Sequence, residues 1–465
     1  MNAPEVRLRR ALRLPDVVLF FVVAVIGLRW IATAAAAGPS GLVLWVVALI
    51  TFFLPLGFAV IELASRHPEE GGIYVWARYA FGDLTAFMTG WLYWVSNVVY
   101  MPGLLYFGAA NALYAFGPAA QVQANNPYYF ILVSLAGLAL AWWLNAVGAG
   151  VGKWLSNLGG IATWIPAAVL VALGVIAFKQ FGSATPLSMK TLVPHLDFGH
   201  ALLWSTIAFG FAGLEAASLM GDEIDDPRRT VPRAIVLAGI SIAAIYILGT
   251  LAVLVALPQA DVTGLSGILQ ATDHMATVTG WSTVTPAMAL LVAFGCLGGA
   301  GAWLASTSRL PFVAGIDRYL PPAFGRLHPR WGTPHVALGV QAAAAGVIAI
   351  LGQAGATVKG AYDALVAMGV ITYFIPYLVL FAAYARAKGN LRTPGGRPVV
   401  ILLATLGGVT TAVALVLAAV PPSDAPDKMW AVTKVVGGSA VLAVIGAFLF
   451  ARRRRDSVAV QAPRD

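Results

Sequence analysis

The chain contains a series of apolar runs, most of them about 20 residues long and nearly free of charge. A helix of that length spans the hydrocarbon core of a bilayer, whereas transmembrane β-strands alternate over about ten residues. Hydrophobic residues make up 59% of the 465 residues and charged residues 11%, against about 45–50% and about 25% in soluble domains. Because backbone polar groups in lipid need internal partners, the runs are predicted to be helices. The expected fold class is an all-α polytopic membrane protein.

Hydropathy windows of about 19 residues predict twelve transmembrane helices. They lie near residues 16–37, 41–65, 83–116, 127–146, 153–178, 200–222, 231–257, 281–308, 335–353, 361–386, 398–420 and 430–451. Of the 29 Lys and Arg residues, 23 then fall on the side of the N-terminus and five on the opposite side, and Arg29 lies within the first span. The positive-inside rule therefore predicts a multi-pass protein of the cytoplasmic membrane with both termini in the cytoplasm. The net charge of +9 belongs to these short loops, so no nucleic-acid partner is expected.

Glycine and charge interrupt the first helix at Gly27-Leu28-Arg29-Trp30 and the sixth helix between Phe209 and Glu215. Inside a helix Gly costs about 1 kcal/mol relative to Ala, and a charge at the bilayer centre costs at least about 2.5 kcal/mol. If helices 1–5 and 6–10 are two repeats, the interruptions occupy corresponding positions, which indicates a transporter binding site. Two alternatives stay open. In the first, the glycines of the sixth helix serve only to let helices pack closely. In the second, Arg29 and Glu215 form a structural ion pair.

An unwound helix can hold both charges of a zwitterion. The free N–H groups of one half-helix suit a carboxylate, and the free carbonyls of the other suit an ammonium group. The candidate substrate-binding residues are Gly27, Leu28, Arg29, Trp30, Phe209, Gly210, Phe211, Ala212 and Gly213, with Asn97, Tyr100, Gly298 and Tyr373 as wall residues. The candidates for coupling or gating are Glu215, Arg29 and Phe209.

The residues needed for other chemistries are missing from the sequence pattern. The six histidines are scattered among loops without metal-ligand spacing, and there is no Gly-Lys-Ser/Thr phosphate loop. We therefore expect no catalytic residue, no metal, no cofactor and no enzyme activity.

Several stretches, taken in order, resemble the amino acid–polyamine–organocation (APC) superfamily. The segment from Glu62 to Trp76 resembles that superfamily's second-to-third helix signature. Phe209 to Glu215, followed by Asp222 to Ala234, resembles its sixth helix and inner loop. Arg309 to Pro311, with Asp317 to Pro321 and His328 to Pro334, looks like the connection from its eighth helix to its ninth. The resemblance runs over nearly the whole chain.

The resemblance implies a five-plus-five inverted-repeat (LeuT-like) core, two C-terminal helices, alternating access, and a midplane site between helices one and six. It also implies that Glu215 supports the sixth-helix break or couples transport to ions. The first helix departs from the family's Gly-Ser-Gly-Ile-Phe type of break, so Arg29 is expected either to bind an anionic group or to pair with Glu215. The fifth helix contains Pro166 and is similar to that of the glutamate:GABA antiporter branch.

The expected function is secondary active transport of amino acids or related amines by alternating access, through proton symport or substrate exchange. The alternative is a non-transporting membrane solute sensor or a channel. The expected partners are a small-molecule substrate, the lipid bilayer and, as a candidate coupling ion, the proton. The expected segments are a cytoplasmic N-terminal segment (1–15), two five-helix repeats (16–178 and 200–386), helices 11 and 12 (398–451) and a basic cytoplasmic tail (452–465).

Overall fold

The computed structural model describes residues 8–194, 197–263, 266–353, 357–420 and 428–461. Helices and their connections account for these residues, with one isolated backbone bridge between Leu12 and Ile224. The all-α prediction is therefore confirmed. The ends of the predicted terminal segments, residues 1–7 and 462–465, lie outside the described residues.

Each of the twelve predicted spans corresponds to a helix or to a pair of half-helices. Their bounds are α1a Leu14–Val25, α1b Leu28–Ala36, α2 Ser40–Arg66, α3 Asp83–Phe116, α4 Pro127–Ala146, α5 Ala149–Phe181, α6a Phe198–Gly210, α6b Ala216–Glu223, α7 Pro227–Ala256, α8 Val284–Ile316, α9 His335–Gly352, α10 Val358–Arg386, α11 Gly396–Ala418 and α12 Gly438–Gln461. Across the described ranges, eleven spans are long and apolar enough to cross a membrane. The two halves of α6 are each too short, because this helix is broken near its centre.

Two predicted helices are followed by further helical residues. The eighth helix ends at Thr307, close to the predicted residue 308, but a short helix, Arg309–Ile316, follows at once and continues the same span. Arg309 is buried in the bundle. An ion pair with Glu223 accounts for this burial, because a buried charge needs a partner. The last helix runs to Gln461, about ten residues beyond the predicted bound.

Helix packing follows a pattern of exchange between the two halves. The α5–α8 contact and the α3–α10 contact are both extensive. If each helix of the first five is swapped with its counterpart in α6–α10, so that α5 becomes α10 and α8 becomes α3, these two contacts change places. The α3–α8 contact, also extensive, exchanges with itself. The pattern is what an inverted repeat of five helices produces.

The first helix lies at the centre of the bundle. In the most apolar window of α1, 83% of the residues are buried, against 17% in that of α12. Helix α11 packs against α10 and α6a, and α12 packs against α3, so both lie outside the ten-helix core. A helix enclosed on all sides faces other helices rather than lipid, and the break in α1 is therefore inside the protein.

Candidate functional site

The first helix breaks at Ile26 and Gly27, where the backbone is extended. A Cβ on Gly27 would lie 2.5 Å from Nε1 of Trp30, so a larger residue would force that ring to move. The N–H of Trp30 donates to the Gly27 carbonyl (2.9 Å) and closes the first turn of α1b. Leu28, Arg29 and Trp30 were predicted to lie within the break. They lie instead in this first turn of α1b. The positive end of α1b faces the break.

The sixth helix breaks between Phe211 and Glu215. Gly213 has a φ of +120°, a conformation that residues with a side chain rarely adopt. A Cβ there would also lie 3.1 Å from Val25 and 3.2 Å from Trp303. This glycine therefore serves both the break and the close approach of α6 to α1 and α8.

Tyr246 of α7 connects the two breaks through a single buried hydroxyl. The N–H of Gly27 donates to this hydroxyl (3.0 Å), which in turn lies within donating distance of the carbonyls of Val25 (2.6 Å) and Gly210 (2.8 Å). The ring stacks on Trp45, with centroids 4.3 Å apart and planes 10° apart. The hydroxyl accepts the N–H freed at the first break and can donate to a carbonyl of either broken helix.

Glu215 lies just beyond the sixth-helix break and is fully buried. Its Oε1 accepts hydrogen bonds from the hydroxyls of Tyr93 and Tyr373 (2.6 Å for Tyr373), and its Oε2 accepts one from Tyr377 (2.6 Å). The Tyr377 hydroxyl also accepts the N–H of Gly213 (2.9 Å), which ties the carboxylate to the broken backbone. Both oxygens of this buried carboxyl group therefore have hydroxyl partners.

An aromatic cavity, the central cavity, lies between the two breaks. Its lining residues are Ala24, Val25, Trp30, Asn97, Tyr100, Phe209, Ala212, Trp303 and Tyr373. Phe209 meets Trp30 and Tyr373 edge to face, with centroids 5.5 Å and 5.6 Å apart. The enclosed space is about 10 Å³, no more than a water molecule needs. Admission of a solute therefore requires these aromatic rings to rotate.

The structure brings most of the predicted site residues together. Trp30, Asn97, Tyr100, Phe209, Ala212 and Tyr373 line the central cavity, and Gly27, Leu28 and Arg29 line a second small cavity beside it. Gly210 takes part through its carbonyl and Gly213 through its N–H.

Two predicted residues lie elsewhere. Phe211 packs against Trp45 and Phe53 on the far side of α6. Gly298 lies at the α5–α8 crossing, where a Cβ would be 2.5 Å from the Cα of Gly159, so its role there is close helix packing.

Four functional side chains were not found from the sequence: Tyr93, Tyr246, Trp303 and Tyr377. Tyr377 carried a usable signal, because it follows Tyr373 by four residues and so shares its helix face. Tyr93 carried a similar signal, because it precedes the predicted wall residue Asn97 by four residues. Tyr246 and Trp303 stand alone in apolar helices, where an aromatic residue is most often a packing residue.

Arg29 is 1% exposed and lies between two aromatic rings. Its guanidinium carbon is 4.2 Å from the ring centroid of Trp30 and 4.5 Å from that of Tyr100. None of its three nitrogens has a hydrogen-bond partner among the described residues. The Arg29–Glu215 ion pair is absent from this conformation, since Glu215 is enclosed by tyrosines instead.

The two faces of the bundle differ. On the face opposite the N-terminus a vestibule of about 670 Å³ reaches inward to Trp30, which also lines the central cavity. On the N-terminal face, buried ion pairs close the bundle. Glu62 accepts hydrogen bonds from Arg66 and from the N–H groups of Arg392 and Thr393. In this conformation the central cavity is therefore closer to opening toward the vestibule than toward the N-terminal face.

A second cluster on the N-terminal face joins Glu70, Glu223 and Arg309. Arg309 pairs with Glu223 at 2.5 Å and lies 3.5 Å from Glu70, whose other oxygen accepts the N–H of Asp222. All three side chains of the cluster are nearly inaccessible. Burial and the nearby charge of Glu223 raise the pKa of Glu70 well above its usual range, against the opposing effect of Arg309. The surroundings of Glu70 therefore disfavour its ionised form.

Comparison with known proteins agrees with this architecture. Residues 12–441 match the family model described as amino acid permease. An uncharacterized transporter of Legionella pneumophila is 28% identical over 97% of this chain and 98% of its own. A probable agmatine/putrescine antiporter of Lactococcus lactis is 23% identical over 92% of each chain. A glutamate/gamma-aminobutyrate antiporter of the same organism is 25% identical over 81% of this chain and 77% of its own.

A solved structure gives the same fold. The crystal structure of MhsT in complex with L-phenylalanine matches with a TM-score of 0.67 and 14% identity, covering 89% of this chain and all of that one. It supports the inverted-repeat core of ten helices that the packing pattern indicates, and the predicted resemblance is confirmed. With the family model matched over most of its length, the chain belongs to the amino acid permease family of the APC superfamily.

Proposed function

We propose that the protein is a secondary active transporter that moves amino acids or related amines across the cytoplasmic membrane by alternating access. The observation that carries this proposal is the meeting of two broken helices at one buried aromatic cavity. Broken helices at the midplane offer backbone charge to a solute without exposing it to lipid. Two relatives named as antiporters for amines or amino acids support solutes of this kind and favour exchange over a channel.

Substrate reaches the central cavity from the vestibule in this proposal. Trp30 lines both spaces, and Phe209 contacts Trp30 across the cavity, so these two rings form the barrier. Asn97, Tyr100 and Trp303 then form the walls that select the side chain of the solute.

Glu215 is the proposed coupling residue. It does not line the central cavity, but Tyr373 both lines the cavity and donates a hydrogen bond to Glu215. A change in the charge of Glu215 therefore alters the hydrogen bond of the Tyr373 hydroxyl beside the solute. It also alters the hydrogen bond of Tyr377, which holds Gly213 at the break. This arrangement serves proton symport and substrate exchange equally.

The proposed orientation has both termini in the cytoplasm, so the closed face is cytoplasmic and the vestibule is outside. The distribution of Lys and Arg supports this orientation. The two repeats are proposed as residues 16–178 and 200–386, with residues 398–451 added around them.

The test is uptake into liposomes that contain the purified protein. The liposomes are preloaded with a panel of amino acids and amines, and uptake of labelled solute is measured with and without a pH gradient. Uptake that needs internal solute establishes exchange, and uptake driven by the gradient alone establishes proton symport. Binding without flux for every solute would contradict the proposal and favour a sensor, and flux that does not saturate would favour a channel.

A further inference from the structure

We propose that Arg29 is the binding site for a compact monoanion, which is in the first place the carboxylate of the transported solute. The protein then prefers solutes that carry a carboxylate over amines that lack one. This inference rests on the proposed transport function and adds the substrate class to it. An inorganic anion such as chloride has the same chemistry and is separated from the carboxylate by experiment.

The first support is the free-energy cost of burying the Arg29 guanidinium without a hydrogen-bond partner. A guanidinium has five N–H donors and stays charged at any pH a protein meets. Arg29 is 1% exposed, and its three nitrogens have no partner among the described residues. A buried charge without a partner strongly destabilises a fold unless something compensates it. A bound anion would supply that compensation.

Among the described residues, no carboxylate is paired with Arg29. The titratable groups that act electrostatically on Arg29 include Tyr100, Tyr246, Tyr362 and Cys296. All four are neutral near pH 7. The rings of Trp30 and Tyr100 cover the guanidinium and attract it, but a ring face is no substitute for a hydrogen-bond acceptor at the N–H groups. No acidic residue is among those that line the central cavity or the cavity beside it.

Two of the backbone N–H groups that could bind a carboxylate at the first break are already engaged. Of the two residues at the break, Ile26 donates its N–H to Val22 (3.0 Å) and Gly27 donates its N–H to Tyr246. The positive end of α1b adds to the field at Arg29, which lies in its first turn. Arg29 is therefore the strongest free donor near the first break.

The space beside Arg29 suits a small anion. The cavity lined by Gly27, Arg29, Thr163 and Cys296 measures about 20 Å³, enough for one water-sized guest. A carboxylate is larger than a water molecule and enters beside Arg29 once the neighbouring rings move, while the rest of the solute lies in the central cavity, with which Arg29 shares Trp30 and Tyr100 as neighbours. A diamine would instead bring positive charge to an uncompensated arginine.

Matched solute pairs that differ only by the carboxylate test this inference. The pairs are arginine and agmatine, ornithine and putrescine, and phenylalanine and phenethylamine. Binding to the purified protein is measured as thermal stabilisation, which does not depend on transport. The wild type should bind the amino acid of at least one pair about tenfold or more tightly than the amine, as a charged hydrogen bond predicts. In Arg29→Gln that preference should be lost, through weaker binding of the amino acid.

Three further variants keep the result interpretable. Arg29→Lys keeps the charge and should retain part of the preference, whereas Arg318→Gln removes an exposed arginine and should change nothing. Arg29→Met replaces the charge by an apolar chain and should fold at least as well as the wild type without anion, because a buried unpaired charge is removed. It should lose the preference as Arg29→Gln does.

Replacement of chloride by gluconate separates the two sources of the anion. If chloride stabilises the wild type but not Arg29→Met, and both members of each pair bind alike, the anion site stands and the carboxylate assignment falls. A folded Arg29→Met with wild-type preference and no change in chloride response overturns the whole inference. Binding of carboxylates through Arg29 without uptake into liposomes would instead contradict only the transport function.

Discussion

At the scale of single residues, Tyr246 has the most demanding role. Its hydroxyl carries one proton but has two carbonyl acceptors within reach, Val25 on α1 and Gly210 on α6. It can donate to only one of them at a time. The two arrangements link α7 alternately to one broken helix and to the other.

The variant Tyr246→Phe should therefore lower both stability and the rate of uptake. It leaves the buried N–H of Gly27 without its acceptor, and an unsatisfied buried group costs about 1–3 kcal/mol. The measurement is the melting temperature in detergent together with initial uptake in liposomes. Tyr128→Phe is the matched control, since Tyr128 is 73% exposed and should tolerate the change. Equal melting temperatures for Tyr246→Phe and the wild type would show that the bridge is unimportant.

Glu215 and Arg29 illustrate how opposite charges in neighbouring helices can avoid each other. Each is fully or almost fully buried, yet the acid is surrounded by hydroxyl donors and the base by aromatic faces. The sequence predicts both charges and their importance. It does not predict their partners, because Tyr93 and Tyr373 are far from Glu215 along the chain and no local pattern connects them.

At the scale of helices, the sixth-helix break depends on Gly213. The variant Gly213→Ala should destabilise the protein by about 1–3 kcal/mol, because the positive φ disfavours a side chain and the added Cβ meets Val25 and Trp303. Reduced uptake should accompany the lower melting temperature.

Gly369→Ala is the control for this variant. Gly369 lies within α10, and a Cβ there meets nothing within 4 Å. Alanine should therefore leave stability unchanged or raise it by up to about 1 kcal/mol. If both variants behaved alike, the backbone of the break would not need glycine.

The closed face makes a prediction about pH. Because folding raises the pKa of Glu70, its stabilising contribution is full below the pKa of an unfolded glutamate, about 4.3, and is lost as pH rises through the higher folded value. Glu70→Gln mimics the protonated acid at every pH. The melting temperature of Glu70→Gln minus that of the wild type should therefore grow as pH rises from about 5 to about 8.

The neighbouring residue provides the control for that experiment. Glu69 is exposed, so Glu69→Gln removes a carboxylate from the same loop but outside the buried cluster, and its difference should grow less with pH than that of Glu70→Gln. Parallel curves for Glu70→Gln and the wild type would mean that Glu70 is ionised in the folded protein throughout this range.

The helices and both breaks could be predicted from the sequence, because apolar length and misplaced glycines are local properties. The exact restart of α1b at Leu28 could not, since it depends on one hydrogen bond between Trp30 and Gly27. The burial of Arg309 could not be predicted for a similar reason. Its burial depends on Glu223 and Glu70, which are distant in the chain and become partners only after the bundle forms.

At the scale of the whole molecule, one side of the bundle holds a vestibule and the other is closed by ion pairs. The central claim is that the site between the breaks is reached from these two faces in turn. Alternating access requires that opening one face closes the other, which distinguishes a transporter from a channel.

Reciprocal labelling of two cysteines tests this claim most directly. Cys296 is the only cysteine and is buried, so Cys296→Ala gives a background without thiols. Thr33→Cys reports on the vestibule and Ser156→Cys on the small cavity near the closed face. Labelling rates by a thiol reagent are compared with and without a solute that drives uptake. If access alternates, the solute should slow labelling at one position and speed it at the other. Rates that rise together at both positions, or that ignore the solute, would contradict it.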